Sequence, residues 1–355
     1  MNRIEKLMKA LPEGADAALI TSDVNRRYFT GLGSTAGTLL AFRDAAYFII
    51  DFRYIEVAKA TVTGAEVILQ DKLYDQLGEL LKKHGARTVA IETDYITVGS
   101  LEQYRSRLPQ VEFLTAAALN DKILEMRSLK DEEEIAAIRK AQSITDAAFL
   151  EILDFIKPGK TEKEVAAYLE YCMRRLGADG LAFETIAAGG PNSAMPHAVP
   201  GDRPLRQGDF FTMDYGAYWG GYCSDMTRTI ALGYVSEKMD KVYHTVLEAQ
   251  LAGIAATKAG VTGKEMDAAA RNVINAAGFE GLFGHSYGHS LGLLIHEGPY
   301  ANMRNDKPMP AGAVVSAEPG IYIPDEFGVR IEDVTVLTEN GCEILTKSPN
   351  NLIIL

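Results

Sequence analysis

Four carboxylates lie where two turns fold the chain back on itself. In DFFTMDYGAYWGGYCSDMTRTIAL, Trp219-Gly220-Gly221 is a turn signal between runs rich in β-branched and aromatic residues. A turn centred between Trp219 and Gly220 places Asp214 directly opposite Asp225. In AVVSAEPGIYIPDEFGVRIEDVTVL, a turn centred on Asp325 places Glu318 opposite Glu332 in the same way. Like charges facing each other across a ladder are destabilising, and crowded carboxylates tend to share a proton. A single Asp on a strand is ordinarily a solvated residue. Two facing pairs, with Asp214 and Glu318 flanked by apolar residues, instead call for a cation, because carboxylates are seldom buried unless paired or metal-bound. Oxygen-rich donor sets suit Mn and similar divalent ions, and shared carboxylates hold two ions about 3.5–4 Å apart.

The histidines point to the same region. The chain has six, and three of them, His285, His289 and His296, fall within GHSYGHSLGLLIHEG. Such clustering in a histidine-poor chain favours a site, and the neighbouring glycines permit close backbone approach. His197 stands in a Gly- and Pro-rich loop, GGPNSAMPHAVPGD, where a solvated group and a functional one are equally in keeping with the pattern. His84 near a helix end and His244 within a helical pattern read as ordinary surface or core groups.

These residues need a scaffold, and the sequence outlines one. Up to about residue 120, short apolar runs (ADAALI, GTLLAF, AAYFII, AEVIL, TVAIE, VEFLTA) alternate with helical patterns near 2–10, 71–84 and 98–107. That reads as a modest α/β domain. From Asp121 the texture becomes charged and amphipathic, and a long helix is expected from about Asp131 to Ile156. The domains are placed at 1–124 and 125–355.

The second domain carries an internal repeat. Thr161 with Glu164, and Thr262 with Glu265, have capping-box spacing. Each helix so begun ends at a glycine, Gly177 or Gly278, where a left-handed C-terminal residue is expected. Starts and ends share an offset of 101 residues, so the domain reads as two similar halves, each supplying one of the carboxylate hairpins.

Bulk properties exclude more than they assign. A chain of 355 residues is long for a single core. The net charge of -12 disfavours nucleic acid and anionic membranes as partners. No apolar run approaches the roughly 20 residues that span a bilayer, and the N-terminus lacks the layout of a secretory signal. Three cysteines (Cys172, Cys223, Cys342) without CxxC spacing suit reduced thiols in a cytoplasm.

The runs GGPNSAMPHAVPGDRPLRQGDFFTMDYGA, SDMTRT, GHSLGLLIHE, SAEPGIYIP and GVRIEDVTVLTENG, in this order, resemble the proline-specific metallopeptidases, aminopeptidase P and prolidase. NRRYFTGLGSTAGTLLAF followed by IDFRY is similar to the N-terminal domain of that family. The resemblance implies an α+β chain: a C-terminal pita-bread domain with pseudo-two-fold symmetry, preceded by a smaller creatinase-like α/β domain. It implies two divalent ions, most often Mn, with Co, Zn or Fe as alternatives. Asp214 would hold one, Asp225 and Glu332 would bridge both, and His289 and Glu318 would hold the other, with Glu318 also a candidate base. His197 and His296 would meet the substrate carbonyl, with His285 near by. Arg330, two residues from Glu332 on one strand face, would orient a ligand carboxylate, and Tyr322 is a similar candidate. Phe183 and Tyr218 are candidate walls for a proline ring.

Within that family, Xaa-Pro aminopeptidase activity is favoured over strict dipeptide hydrolysis. Some microbial prolidases carry Arg four positions after the residue matching His296, where a dipeptide carboxylate would need a cation. Here that position is Tyr300, and Arg304 is the near alternative. A methionine aminopeptidase would lack the N-terminal domain. A creatinase-like amidinohydrolase works without metal, and non-catalytic relatives typically lose ligands. Expected partners are proline-containing di-, tri- or oligopeptides and a second copy in a homodimer.

Overall fold

The apolar runs of the N-terminal region become strands because their β-branched and aromatic residues fill a pleated surface. The computed structural model describes residues 1–355, which divide into two compact units, Met1–Arg127 and Ser128–Leu355. In the first, six strands form a mixed sheet in the order Glu66–Leu69, Ala46–Ile50, Thr38–Phe42, Ala17–Ile20, Thr88–Ile91, Glu112–Leu114. Leu19, Leu40, Phe42, Ile49 and Val89 are buried with Leu77 and Leu81 of the helix Leu73–Lys83. The reading overlooked the helices Asp23–Thr30, Ile55–Thr61 and Ala118–Ser128. The first carries NRRYFT, a polar sequence whose helix is started by the Ser22 cap.

The second unit repeats one plan twice. Glu132–Phe155 packs on Glu162–Arg175, and Glu237–Ala256 packs on Gly263–Ala276. Both shorter helices have 14 residues and begin with a complete capping box, at Thr161 and at Thr262. Gly177 and Gly278 follow them in the left-handed region, with φ of 104° and 90°. Thr161 bridges to Pro204, and Thr262 bridges to Pro308. The first half presents the strands Ile186–Gly189, Phe210–Tyr215 and Met226–Ala231 as one sheet. The second presents a five-stranded sheet running Glu297–Ala301, Gly288–Ser290, Val314–Ala317, Asp333–Thr338, Gly341–Ile344. Two buried clusters fill the halves, one around Phe149, Leu169 and Met213, the other around Tyr243, Met266 and Ile321. No helix is long and apolar enough to cross a membrane.

The first hairpin departs from the expected register. Asp214 pairs with Thr227, and Trp219 pairs with Tyr222, so Asp225 is not opposite Asp214. The turn is Gly220-Gly221, both with positive φ (61° and 97°), and placing both glycines at the bend moves its centre one residue along. The partner of Asp214 therefore moves by two residues. A two-residue shift preserves the face, so Asp214 and Asp225 remain neighbours on the same side.

The second hairpin keeps its expected register. Gly320 pairs with Arg330 and Ala317 with Asp333. Glu318 and Glu332 fall in the gap between these two ladders. Their amides bond elsewhere, Glu318 N to Tyr287 O at 2.8 Å and Glu332 N to Thr227 O at 3.1 Å.

Candidate metal centre

Asp214 and Asp225 from the first half, and His289, Glu318 and Glu332 from the second, line one cavity of about 620 Å³; Asp214 and His289 stand on strands, and the other three at strand ends. One ligand atom each from Asp225, His289 and Glu332 lie within 4.8 Å of one another. His289 Nε2 is 3.5 Å from Asp225 Oδ2 and 3.3 Å from Glu318 Oε1. His289 Nδ1 is 3.2 Å from the Ser290 carbonyl, which can only accept, so the proton belongs on Nδ1. The neutral Nε2 then turns a lone pair toward two carboxylates. Acceptors facing acceptors need a cation between them.

The buried oxygens make the same demand. Asp214 Oδ1 and Glu332 Oε1 are buried without any hydrogen-bond partner. Burial, then Glu332, Asp214 and Glu318, pushes the Asp225 carboxyl well above the usual range. Burial, then Glu318 and Asp214, does the same to Glu332. Glu318 is pushed up to about 7, chiefly by burial. Burial lowers His289, which favours the neutral imidazole a metal takes. Bare carboxylate oxygens and a neutral imidazole nitrogen in a water-restricted cleft are the donor set of a hard or borderline divalent cation.

A hydrogen-bonded shell orients these groups. Arg330 donates from Nη2 to Asp214 Oδ2 at 2.7 Å, from Nη1 to Tyr322 Oη at 2.8 Å and to Pro196 O at 3.3 Å, and from Nε to Thr227 Oγ1 at 3.0 Å. Thr227 Oγ1 in turn donates to Glu332 Oε2 at 2.8 Å. Ser316 Oγ donates to Glu318 Oε1 and accepts from His289 N, both at 3.0 Å. His285 Nδ1 faces the Ser286 carbonyl, and its Nε2 receives the Tyr322 hydroxyl at 2.8 Å. Burial, then the charge of Arg330, lowers His285 to about 3, so it stays neutral.

Of the residues singled out in the sequence, His197, His285, His296, Phe183, Tyr300 and Arg330 line the cavity with the five acidic and histidine groups above. The His296 and His289 rings meet edge to face, centroids 4.3 Å apart. Tyr300 pairs with His289 on the neighbouring strand. Tyr322 is buried behind the wall rather than on it, and Tyr218 and Arg304 do not line the cavity. The sequence reading missed Thr227 and Ser316. Each lies two residues from a carboxylate, Asp225 or Glu318, so strand alternation was the available signal.

The model for metallopeptidase family M24 matches residues 136–339, and that for the creatinase/prolidase N-terminal domain matches residues 1–128. The chain is 38% identical to a Xaa-Pro dipeptidase of Pyrococcus furiosus, with 99% of each covered. Its fold is similar to the structure of a Xaa-Pro dipeptidase from Bacillus anthracis, at TM-score 0.96 and 43% identity with 99% of each chain covered. It is also similar to that of an X-Pro aminopeptidase from Thermotoga maritima, at TM-score 0.93 and 38% identity with both chains covered in full.

Proposed function

We propose an activity from one premise: the chain belongs to metallopeptidase family M24, carries the creatinase/prolidase N-terminal domain, and is a metalloexopeptidase. Its reaction is hydrolysis of the bond preceding proline, releasing the N-terminal residue of Xaa-Pro peptides. Asp214, Asp225, His289, Glu318 and Glu332 would hold two divalent ions, Asp225 and Glu332 shared between them, with Mn the first candidate. When bound, such ions supply the charge that acidifies a water and polarises the scissile carbonyl. The observation that carries the reading is the convergence of bare, buried carboxylate oxygens on a neutral imidazole nitrogen in the one cavity.

The remaining steps belong to the chain's own groups. Glu318, held beside His289 and Ser316 in the cavity, is the candidate to take a proton and return it. His197 and His296 stand on the wall where N–H donors can meet the substrate carbonyl and the oxyanion that develops from it. Proline offers no N–H and needs a shaped apolar wall, which Phe183, Ile295 and Pro196 of the cavity lining would supply.

Substrate length follows from the cations. Arg330 lines the cavity, but its three nitrogens are engaged by Asp214, Tyr322, Pro196 and Thr227. Tyr300 adds no charge. A free dipeptide carboxylate would meet no unengaged Lys or Arg side chain on the cavity wall, which supports cleavage of longer Xaa-Pro peptides. Strict dipeptide hydrolysis is the second reading, supported by the Pyrococcus and Bacillus relatives. A homodimer accompanies either reading, and light scattering should give twice the 38.7 kDa chain mass.

The test is a paired assay on chelator-treated protein re-supplied with Mn, using a Xaa-Pro dipeptide, a Xaa-Pro-Xaa tripeptide and non-proline controls. Metal-dependent cleavage of the tripeptide is expected. Cleavage of the dipeptide alone selects the second reading, and cleavage of neither rejects the activity.

A further inference from the structure

Directly after His296 comes a charge that the chemistry above does not use. Glu297 and Lys130 form an ion pair at 2.9 Å, with side chains only 2% and 1% exposed. Lys130 Nζ has no other hydrogen-bond partner. Lys130 precedes Asp131, which caps the helix Glu132–Phe155, and its amide is held by Gly312 O at 3.2 Å. The lysine is therefore fixed at its base and carries its charge into the buried interior. Burying two charges costs several kcal/mol of hydration, and the mutual attraction often only offsets this. A pair of this kind adds little stability, so its worth lies in geometry.

The geometry it governs is the segment from His289 to Glu297. His289 pairs with Tyr300, but the next residue, Ser290, pairs with Glu297, so the register slips between them. Gly298 and Pro299 are the residues that leave the ladder, and the loop 291–296 that closes the hairpin lies against the ion pair. A Cβ on Gly292 would lie 2.5 Å from Glu297 Oε1 and 3.1 Å from Lys130 Cε. Gly292 O accepts from Cys223 N at 2.8 Å, two residues before Asp225. His296 thus ends a segment without regular strand pairing and is followed at once by the one residue of that segment anchored by a buried charge.

We propose that the buried Lys130–Glu297 pair is the positioning element that sets His296 against His289 and the substrate. The proposal rests on the peptidase reading for its kinetic consequence, but not for its structural one. Glu297 and Lys130 touch neither substrate nor metal; they act through the backbone of His296.

The test uses the full-length protein with three variants and two readouts. Lys130→Met with Glu297→Leu replaces the pair by apolar groups of similar volume, which such sites commonly tolerate. Gly292→Ala keeps both charges and adds one methyl against Glu297. The first readout is kcat and KM on a Xaa-Pro-Xaa peptide at saturating Mn. The second is the nuclear Overhauser effect between the His289 and His296 rings in the Zn-loaded, histidine-labelled protein. Expected is a kcat lower by about ten-fold or more in the double variant, with KM and Mn binding near wild type and the ring contact weakened. Gly292→Ala should lose several-fold in kcat and show the same spectral change. Lys130→Arg, which keeps the charge, should restore most of kcat. A folded double variant with wild-type kcat and an intact ring contact overturns the proposal. Should the double variant fail to fold, an unchanged Gly292→Ala protein overturns it. If the wild type cleaves no Xaa-Pro peptide, the activity fails while the ring contact still decides the positioning role.

Discussion

Glu92 in the first unit and Glu332 in the second are equally buried, each 1% exposed, and they are buried for different ends. Glu92 is saturated with donors. Its Oε2 accepts from Thr21 N at 2.5 Å and Ser22 N at 2.9 Å, and its Oε1 from Ser22 Oγ at 2.6 Å and Asn25 Nδ2 at 2.7 Å. Glu332 has one donor, Thr227 Oγ1, on Oε2, while Oε1 has none, and burial, then the carboxylates of Glu318 and Asp214, raises its proton affinity. A carboxylate that serves the fold fills its lone pairs from the protein. A carboxylate that serves a cation keeps them bare. Asp333 extends the contrast to adjacent residues: it is satisfied by Arg228 and by Gln250, while its neighbour Glu332 is not.

The largest effect should separate the two regions by activity. Asp225→Asn or His289→Ala removes a ligand and should lower Mn-dependent turnover by about a thousand-fold or more. Glu92→Gln leaves the cavity untouched; it turns two donors against each other and should cost about 1–3 kcal/mol of stability with turnover retained. Near-normal turnover in either ligand variant breaks the ligand assignment. A dead but folded Glu92→Gln protein breaks the claim that Glu92 serves the fold.

A second contrast is one of sign, read in metal-free protein. Glu318 has a folded value of about 7 against an ordinary 4.5, and Asp225 and Glu332 are raised as well. Above the ordinary carboxylate range the native state keeps protons that the unfolded chain has released. Stability from such a group is fully present below its unfolded value and is lost as pH climbs through its folded value. Glu318 alone accounts for a fall on the order of 3 kcal/mol between these limits. Denaturant titrations in chelator should therefore show stability falling from pH 4.5 to 7, and saturating Mn should abolish the fall. Glu332→Gln, which removes one of the crowded charges, should raise the melting temperature of the metal-free protein at pH 7, whereas Glu92→Gln lowers it. Stability rising with pH in chelator, or a Glu332→Gln protein that melts lower, contradicts the picture of mutually repelling carboxylates.

How far the site could be read beforehand depended on the range of the interactions. Capping boxes, helix-ending glycines and turn glycines are local, so Thr161, Thr262, Gly177 and Gly278 revealed the repeat and the hairpins that carry the acids. A two-glycine turn has two possible centres, and the local pattern chose the one that misplaces the partner of Asp214 by two residues. Strand period two protected the conclusion, because the shift kept both carboxylates on one face. What was not legible joins segments about a hundred residues or more apart. Arg228 is fully buried and bonds to Glu332 O, Asp333, Ser348 O and Pro349 O, and Lys130 reaches Glu297. No periodicity marks such a residue, since its role is fixed only when distant strands meet.

Thr227 gives the smallest of these effects and the finest test of the contrast. Its hydroxyl is the single donor to Glu332 and also receives Arg330 Nε, so it ties the charge that holds Asp214 to the acid opposite. Thr227→Val keeps the shape and removes both bonds. Glu332 is then left with no donor, and Arg330 Nε is left without its acceptor in a buried setting. Groups that orient metal ligands typically contribute about 10- to 100-fold in affinity. The lower end is expected here, because the ligand atoms themselves remain and Arg330 still holds Asp214. Titration calorimetry with Mn should show affinity about ten-fold weaker, with turnover recovering as Mn is raised. A variant that binds Mn as wild type does would mean that Glu332 is oriented by its strand alone. The single donor on Glu332 would then belong, like those on Glu92, to the fold.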